Sequence, residues 1–491
     1  MLMTSHIRAP RRRRIPYAVV ILSYLLTHAA LQAQVPTDWC GRWWEGMLTE
    51  AMLPLNIHIQ CDSNGVRPLL YSPLQSPTAM KPTQYSYHGD TLSYADKQLG
   101  IKMTLHYRPS DSTLTGTFRQ QLLRADIIFT PCDTLSQFRR PQTPRPPYSF
   151  ESRPIQLRRK DRQGNEVVLS GTLAVPTTPP AGRKGYPAVL LVSGSGQQNR
   201  DEEIFLHKPF LVIAEYFAQH GIATLRYDDR GVGESRGPVQ SATTYDMADD
   251  AEALFKLLRK SSRIDRNNVG IIGHSEGGAI APMIAARNKK VAFVVLMAGP
   301  GCTGADILLQ QNEALLRVQG IADSLISIRT SCMRDIFRLM DSISPDNYQN
   351  AFTQALQRHT SHLDREQLKA IGMRKSDVYM WAQQMQMPWM RAFIKLDPSS
   401  YLPQVRCPLM AINGSKDMQV LADPNMEALR TLLPKNAPKP VLIKYDGLNH
   451  LFQPCQRGDV SEYFRIEQTI EPKVLQDMAN FILSRYNTST Y

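Results

Sequence analysis

The chain reads as an α/β protein: a mostly parallel sheet covered by helices, carrying a helical insertion and preceded by a separate all-β domain. Three observations predict this. From Ile155 onward, short apolar runs alternate with helical patterns, the rhythm of strand–helix–strand units. Gly273-His274-Ser275-Glu276-Gly277 follows the apolar run 269–272 and opens a helical pattern over 279–287, placing a serine on a strand-to-helix turn. Before residue 139 the periodicity is two rather than 3.6, and the two regions are separated by Pro141, Pro144, Pro146, Pro147 and Pro154.

Taken in order, residues 1–33 hold Arg8, Arg11, Arg12, Arg13 and Arg14 and no acidic residue, then an apolar stretch over 17–26, then Ala29, Ala30 and Ala33. This predicts an export signal cleaved before Gln34 and a periplasmic or secreted mature protein. A short membrane anchor is the competing reading. The apolar stretch, broken by Ser23, Thr27 and His28, falls short of the ~20 residues a span needs, so no stable membrane span is expected. The signal also inflates the formal charge of +13; beyond residue 33 there are 52 basic and 44 acidic groups, a balance of +8. No basic stripe interleaved with aromatics is present, so nucleic acid is not an expected partner. The seven cysteines include no Cys-x-x-Cys pair, and no metal or cofactor is implied. In an oxidising compartment, disulfides are expected among Cys40, Cys61 and Cys132, with the pairing open.

Residues 35–138 predict a small barrel or sandwich. Leu55, Ile57, Ile59 and Cys61 alternate with polar residues up to Asn64-Gly65, and Ile101, Met103, Leu105 and Tyr107 alternate again after a turn at Gly89-Asp90. Trp39, Trp43 and Trp44 are expected to plug its end rather than to form a ligand platform. Residues 139–154 then predict a semi-rigid proline-rich linker. Over 155–491, strands are expected at 155–160, 166–175, 187–193, 222–228, 268–274, 291–298, 408–414 and 441–446. Helices are expected near 207–220, 244–260, 276–287, 423–433 and 463–486, with Pro282 bending or shortening the third. The stretch at about 301–406 interrupts the strand rhythm as a helical lid would. Its Met380, Trp381, Met385, Met387, Trp389 and Met390 suit lid core or a greasy pocket.

A serine hydroxyl needs an imidazole to take its proton and a carboxylate to hold the imidazole. After Ser275, the loop following the strand at 409–412 presents Asp417, and the loop following the strand at 441–445 presents His450. All three therefore project from the carboxyl edge of one sheet, where open α/β folds place their sites. Asp423 is assigned to capping the next helix, and Asp446 stands too close to His450 in sequence to orient it. His274 is expected to pack or to make a supporting hydrogen bond rather than act as base. The oxyanion donors are expected to be the backbone N–H groups of Glu276 and of Ser195, in the loop Ser193-Gly194-Ser195-Gly196-Gln197. That loop lacks the lysine of a nucleotide site. In Tyr227-Asp228-Asp229-Arg230-Gly231, Asp229 and Arg230 should brace neighbouring loops, and Asp201-Glu202-Glu203 could face the substrate.

With these strings in place, residues 150–491 resemble the α/β-hydrolase fold, serine-hydrolase branch, similar to bacterial carboxylesterases bordering on serine aminopeptidases with an N-terminal lipocalin-like β domain. The resemblance is carried by Gly194-Ser195-Gly196, Asn199-Arg200-Asp201-Glu202, Asp229-Arg230-Gly231-Val232-Gly233-Glu234-Ser235, the serine turn, Gly414-Ser415-Lys416-Asp417 and Gly447-Leu448-Asn449-His450. It departs where most such proteins carry a histidine and this chain has Ser193. It implies a small-molecule ester as substrate, cleaved through an acyl-serine intermediate. A peptidase acting on short peptides or aminoacyl amides is the nearest alternative. A lipid- or glycan-binding protein with a vestigial hydrolase module is the other. Natural substrate and oligomeric state are not legible.

Overall fold

In the computed structural model, residues 39–488 are described, apart from 52, 63–64, 122, 179–184 and 341. The segment 1–33, where an export signal is expected, and Asn64 of the expected hairpin lie outside the described residues. The chain divides into two compact units, Met1–Gln137 and Phe138–Tyr491.

The first unit is one antiparallel sheet of β1 (Trp43–Leu48), β2 (Leu53–Asp62), β3 (Gly65–Ser72), β4 (Ser76–Met80), β5 (Gln84–His88), β6 (Thr91–Asp96), β7 (Ile101–Arg108), β8 (Thr113–Gln120) and β9 (Leu123–Cys132). Its order is β4-β3-β2-β1-β9-β8-β7-β6-β5. Period-two patterning builds it: along β7 the residues Ile101, Met103 and Leu105 are buried while Lys102, Thr104 and His106 are exposed. The sheet curls until the Tyr94 hydroxyl donates to the Met80 carbonyl at 3.0 Å, bringing β6 to the β4 edge. Gly89, at φ +57°, makes the tight turn between β5 and β6. Trp39 and Trp44 are fully buried, and Trp39 packs edge-on against Trp44 and Tyr87. Trp43 is not part of this plug; it stacks on His58 at 4.1 Å on the other side of the strands. The disulfide joins Cys40 to Cys61, and Cys132 is not part of it.

The second unit carries β10 (Phe150–Lys160), β11 (Glu166–Pro176), β12 (Tyr186–Val192), β13 (Ala223–Tyr227), β14 (Ile264–His274), β15 (Val294–Met297), β16 (Leu409–Gly414) and β17 (Val441–Tyr445). Their order is β10-β11-β13-β12-β14-β15-β16-β17, parallel from β13 to β17 and antiparallel at the β10–β11 and β11–β13 pairings. The near-continuous burial of β11 to β16 accounts for their apolar sequences, since helices cover both faces. Along β14 adjacent residues serve opposite cores. Ile271 packs with Leu254, Phe255 and Ile284 of α2 (Thr244–Leu258) and α3 (Gly277–Arg287). Ile272 packs with Phe217 and Met478, the former from the earlier helix α1 (Pro209–Gln219).

Between β15 and β16 the chain leaves the sheet as α4 (Gly304–Val318), α5 (Asp323–Leu339), α6 (Tyr348–Thr360), α7 (Arg365–Ala370), α8 (Lys375–Gln386) and α9 (Pro388–Ile394). This insertion has a core of its own, including Met333, Phe337, Phe352, Met373, Val378 and Met385. α10 (Ala422–Leu432) and α11 (Pro472–Thr488) complete the unit.

Three expectations need correction. Residues 139–149 are not a detached linker. Arg140 donates to the carbonyls of Phe205 and Phe464, and Gln142 bonds Thr469 and Ile470, so side-chain hydrogen bonds dock the segment onto the second unit. The strand expected from 155 starts at Phe150 and includes Pro154, tolerated because β10 is an edge strand. The final helix begins at Pro472 rather than 463, because proline suits only a first turn. By contrast, α3 runs unbroken through Pro282, whose missing bond would go to Gly278 in the first turn.

Replacing Trp44 by Ala removes a wholly buried indole and should cost about 3–5 kcal/mol. In calorimetry of the full chain, the transition of the N-terminal unit should fall by about 10 °C or more while that of the second unit stays put.

Candidate active site

The turn after β14 is built by steric necessity. Ser275 sits at φ +52°, a left-handed conformation costly for a residue with a Cβ. Its backbone N–H donates to the Met297 carbonyl at 2.9 Å and its own carbonyl accepts from Gly278 at 2.8 Å. A Cβ on Gly273 would lie 1.9 Å from the Gly277 carbonyl oxygen, and one on Gly277 would lie 2.2 Å from that of Val192. The two glycines are therefore demanded by the closeness of α3 to the ends of β12 and β14, and the serine is left half-buried at the rim.

Asp417 and His450 meet across the ends of β16 and β17. His450 Nδ1 lies 2.8 Å from Asp417 Oδ2, and since a carboxylate only accepts, the ring donates. The other carboxylate oxygen of Asp417 accepts from the N–H groups of Gln419 and Val420 at 2.8 and 2.9 Å. Both side chains are buried, so the pair is screened from water. The two loops are laced together by Lys416 N–H on the Leu448 carbonyl at 2.9 Å. The Ser275 hydroxyl makes no hydrogen bond among the described residues. What joins the serine turn to the histidine loop is His274, whose Nε2 donates to the His450 carbonyl at 3.0 Å. Their rings lie 4.8 Å apart. The rivals fall away: Asp446 accepts from Ser415, and Asp423 lies within the first turn of α10, paired with Lys444, rather than at its cap.

The loop after β12 closes on the serine. A Cβ on Gly194 would lie 3.0 Å from Ser275 Cβ. The Gly194 N–H is already taken by Glu202 Oε1 at 2.7 Å, whereas the N–H groups of Ser195 and Glu276 bond no group among the described residues. Ser193 donates to Asp229 at 3.1 Å, and the Gln198 N–H donates to the same oxygen at 3.0 Å. Burial pushes the Asp229 carboxyl up to about 7 despite these donors, with the charges of Glu202 and Glu276 adding to the rise. Arg230 is spent elsewhere, buried against Asp250 and Asp161.

Glu202 corrects one expectation: it does not face the substrate. Its Oε1 is buried between Gly194 N–H and His274 Nδ1, 2.9 Å away. Burial opposes protonation of His274, but the Glu202 charge and hydrogen bond, with the His450 carbonyl, raise its pKa above the ordinary value. Asp201 pairs with Arg226, and Glu203 with Lys208.

A cavity of about 610 Å³ opens beside Gly194, Ser195 and Glu276, walled by Asp229, Met247, Ile280, Met387 and Trp389. The Glu276 carboxylate accepts from Thr244 Oγ1 at 2.5 Å and from Trp389 Nε1 at 2.9 Å, tying helix α9 of the insertion to the residue after Ser275. Of the methionine- and tryptophan-rich stretch, Met387 and Trp389 thus reach the cavity while Met385 lies in the lid core. The Thr244 and Trp389 contacts were not legible in the sequence, because no motif marks partners 32 and 113 positions away.

The model of the family described as serine aminopeptidase, S33, matches residues 208–452, a span that includes Ser275, Asp417 and His450. Esterase EstD of Thermotoga maritima is 24% identical over 306 residues, covering 62% of this chain and 64% of that protein. Quorum-quenching protein AidA of Acinetobacter baumannii is 29% identical over 160 residues, 32% of this chain and 49% of that protein. The chain thus spans less than two thirds of the length of these curated relatives. Among solved structures, an esterase of Pyrococcus furiosus aligns at 16% identity and a TM-score of 0.39, covering 68% of this chain and 93% of that one. A hypothetical protein of Pseudomonas aeruginosa aligns at 15% and 0.43, covering 72% and 98%.

Asp229 supplies a pH test. Its carboxyl binds its proton more tightly folded, at about 7, than unfolded, near 3.8. The stability this contributes is complete below about 4 and lost as pH rises through 7. Asp229→Asn, which keeps an acceptor for Ser193 and Gln198, should therefore gain stability relative to the parent between pH 5 and pH 8. The expected gain is on the order of 2 kcal/mol, read as a Tm difference that widens by a few degrees. A difference that is flat with pH would mean that Asp229 is ionised throughout.

Proposed function

We propose that this chain, an α/β-hydrolase of the serine-hydrolase branch, is an exported esterase that cleaves small carboxylic esters through an acyl-serine intermediate. The observation that carries the reading is the buried His450–Asp417 hydrogen bond at the same sheet edge as the strained Ser275 turn. A neutral imidazole held by a carboxylate accepts the serine proton as the hydroxyl attacks the ester carbonyl, and the imidazolium that forms is stabilised by Asp417. The developing oxyanion is received by the N–H groups of Ser195 and Glu276, which have no competing partner among the described residues. His450 then returns the proton to the leaving alcohol, the acyl group stays on Ser275, and water activated by the same imidazole releases the acid.

The cavity supports an apolar acyl or alkoxy group, since Met247, Ile280, Met387 and Trp389 line it. A relative described as an esterase supports ester over amide. Export is supported by the basic-then-apolar pattern of residues 1–33 and by the Cys40–Cys61 disulfide, a bond typical of oxidising compartments. A peptidase reading is favoured by one specific finding, the aminopeptidase description of the matching family. Faster release of an amine from aminoacyl amides than of an alcohol from matched esters would put it first.

Ser275→Ala should lower kcat for p-nitrophenyl esters at least about 10⁴-fold and abolish labelling by a fluorophosphonate probe, with circular dichroism unchanged. Turnover retained in that variant would place the nucleophile elsewhere.

A further inference from the structure

One buried carboxylate oxygen is shared by two loops of the site. Glu202 Oε1 accepts from the Gly194 N–H of the oxyanion loop at 2.7 Å and lies 2.9 Å from His274 Nδ1. The far side of the same ring, Nε2, lies 3.0 Å from the His450 carbonyl oxygen. A carbonyl oxygen only accepts, so Nε2 carries a proton. The chain of contacts therefore runs Gly194 N–H, Glu202, His274, His450 C=O, and it passes directly beneath Ser275, whose Cβ is 3.0 Å from where a Gly194 Cβ would stand. Backbone conformation is bent to serve it: Glu202 is held at φ +51°, and Phe205 and Leu206 in the same turn are also left-handed. Non-glycine residues held this way persist where the surroundings over-determine them, and such sites cluster at functional centres.

We propose that Glu202 and His274 are positioning residues, a buried pair that fixes the oxyanion loop and the His450 loop in register on either side of Ser275. This rests on the hydrolase reading above. The pair is written as a Glu202 carboxylate and a doubly protonated His274, neutral in sum, with both ring N–H groups donating. The raised pKa of His274 agrees with that protonation. Glu202 and the more distant Asp417 are the acidic groups that act on the ring, and the imidazole of His450 stacks obliquely beside it. The isosteric change Glu202→Gln breaks the arrangement without emptying space. An amide has no charge to keep the second ring proton in a buried site. Whichever way it turns, the Gly194 N–H, His274 Nδ1 or the His450 carbonyl loses its complement.

The test uses the full chain and p-nitrophenyl esters. Glu202→Gln should lower kcat about 10- to 100-fold with KM changed less than threefold, since a shifted oxyanion loop misplaces donors that act in the transition state. His274→Asn should do the same, and the double variant should be no worse than the worse single one, as for residues acting as a unit. A rise in KM with kcat intact would instead make Glu202 a substrate-facing group, and multiplied losses in the double variant would sink the pair. A readout independent of turnover is available in the unmutated protein: with ¹⁵N-histidine labelling, His274 should show two protonated ring nitrogens at pH 8, and Glu202→Gln should abolish that signature. A neutral His274 in the parent protein overturns the proposal. An unmutated chain that shows the signature yet hydrolyses no ester would sink the functional reading instead.

Discussion

The site depends on how closely α3 approaches the ends of β12 and β14. With Gly277 packed against the Val192 carbonyl and Gly273 against Gly277, the chain can turn only at Ser275, and only through a left-handed residue. That strain, of order 1 kcal/mol or more, is tolerated because β14 is a central strand with parallel partners on both sides and the turn residue is bonded at both its amide and its carbonyl. A larger residue at either glycine would push helix from sheet, and every loop that meets at this edge would move with it.

Around that turn lie four buried carboxyl groups, and each is handled differently. Asp417 is satisfied by two backbone N–H groups and the His450 ring. Glu202 faces a backbone amide and a histidine, and Glu276 a threonine hydroxyl and an indole. Asp229 has a hydroxyl and one amide, too little to offset desolvation, and its pKa climbs to about 7.

Much of this was legible in the sequence, for reasons that can be named. Buried parallel strands leave apolar runs, and all eight expected strands of the second unit are present. The turn at Ser275 advertised itself because sterics demand glycine at fixed offsets. Asp417 and His450 could be placed because each follows a readable strand. What could not be read is side-chain reach across the fold. Arg140 and Gln142 dock a proline-rich segment that composition alone describes as a spacer. The direction of the Glu202 carboxylate depends on a left-handed backbone that no local pattern announces. The late start of α11 was hidden by apolar residues in 463–471, such as Tyr463, Phe464 and Ile470, that are buried without being helical.

Glu276 has two loyalties. Its amide follows the strained Ser275 turn and bonds no group among the described residues, while its side chain grips Trp389 in a helical bundle that possesses an independent core. A bundle of that kind, entering after β15 and returning before β16, is a cassette that evolution can exchange with little disturbance to the sheet. Any replacement must still offer an indole-like donor at this spot, or leave the buried Glu276 carboxylate with only the Thr244 hydroxyl among its side-chain donors. The cap is thereby pinned through Glu276 as well as through Ile307 and Phe393, which pack into the core of the sheet.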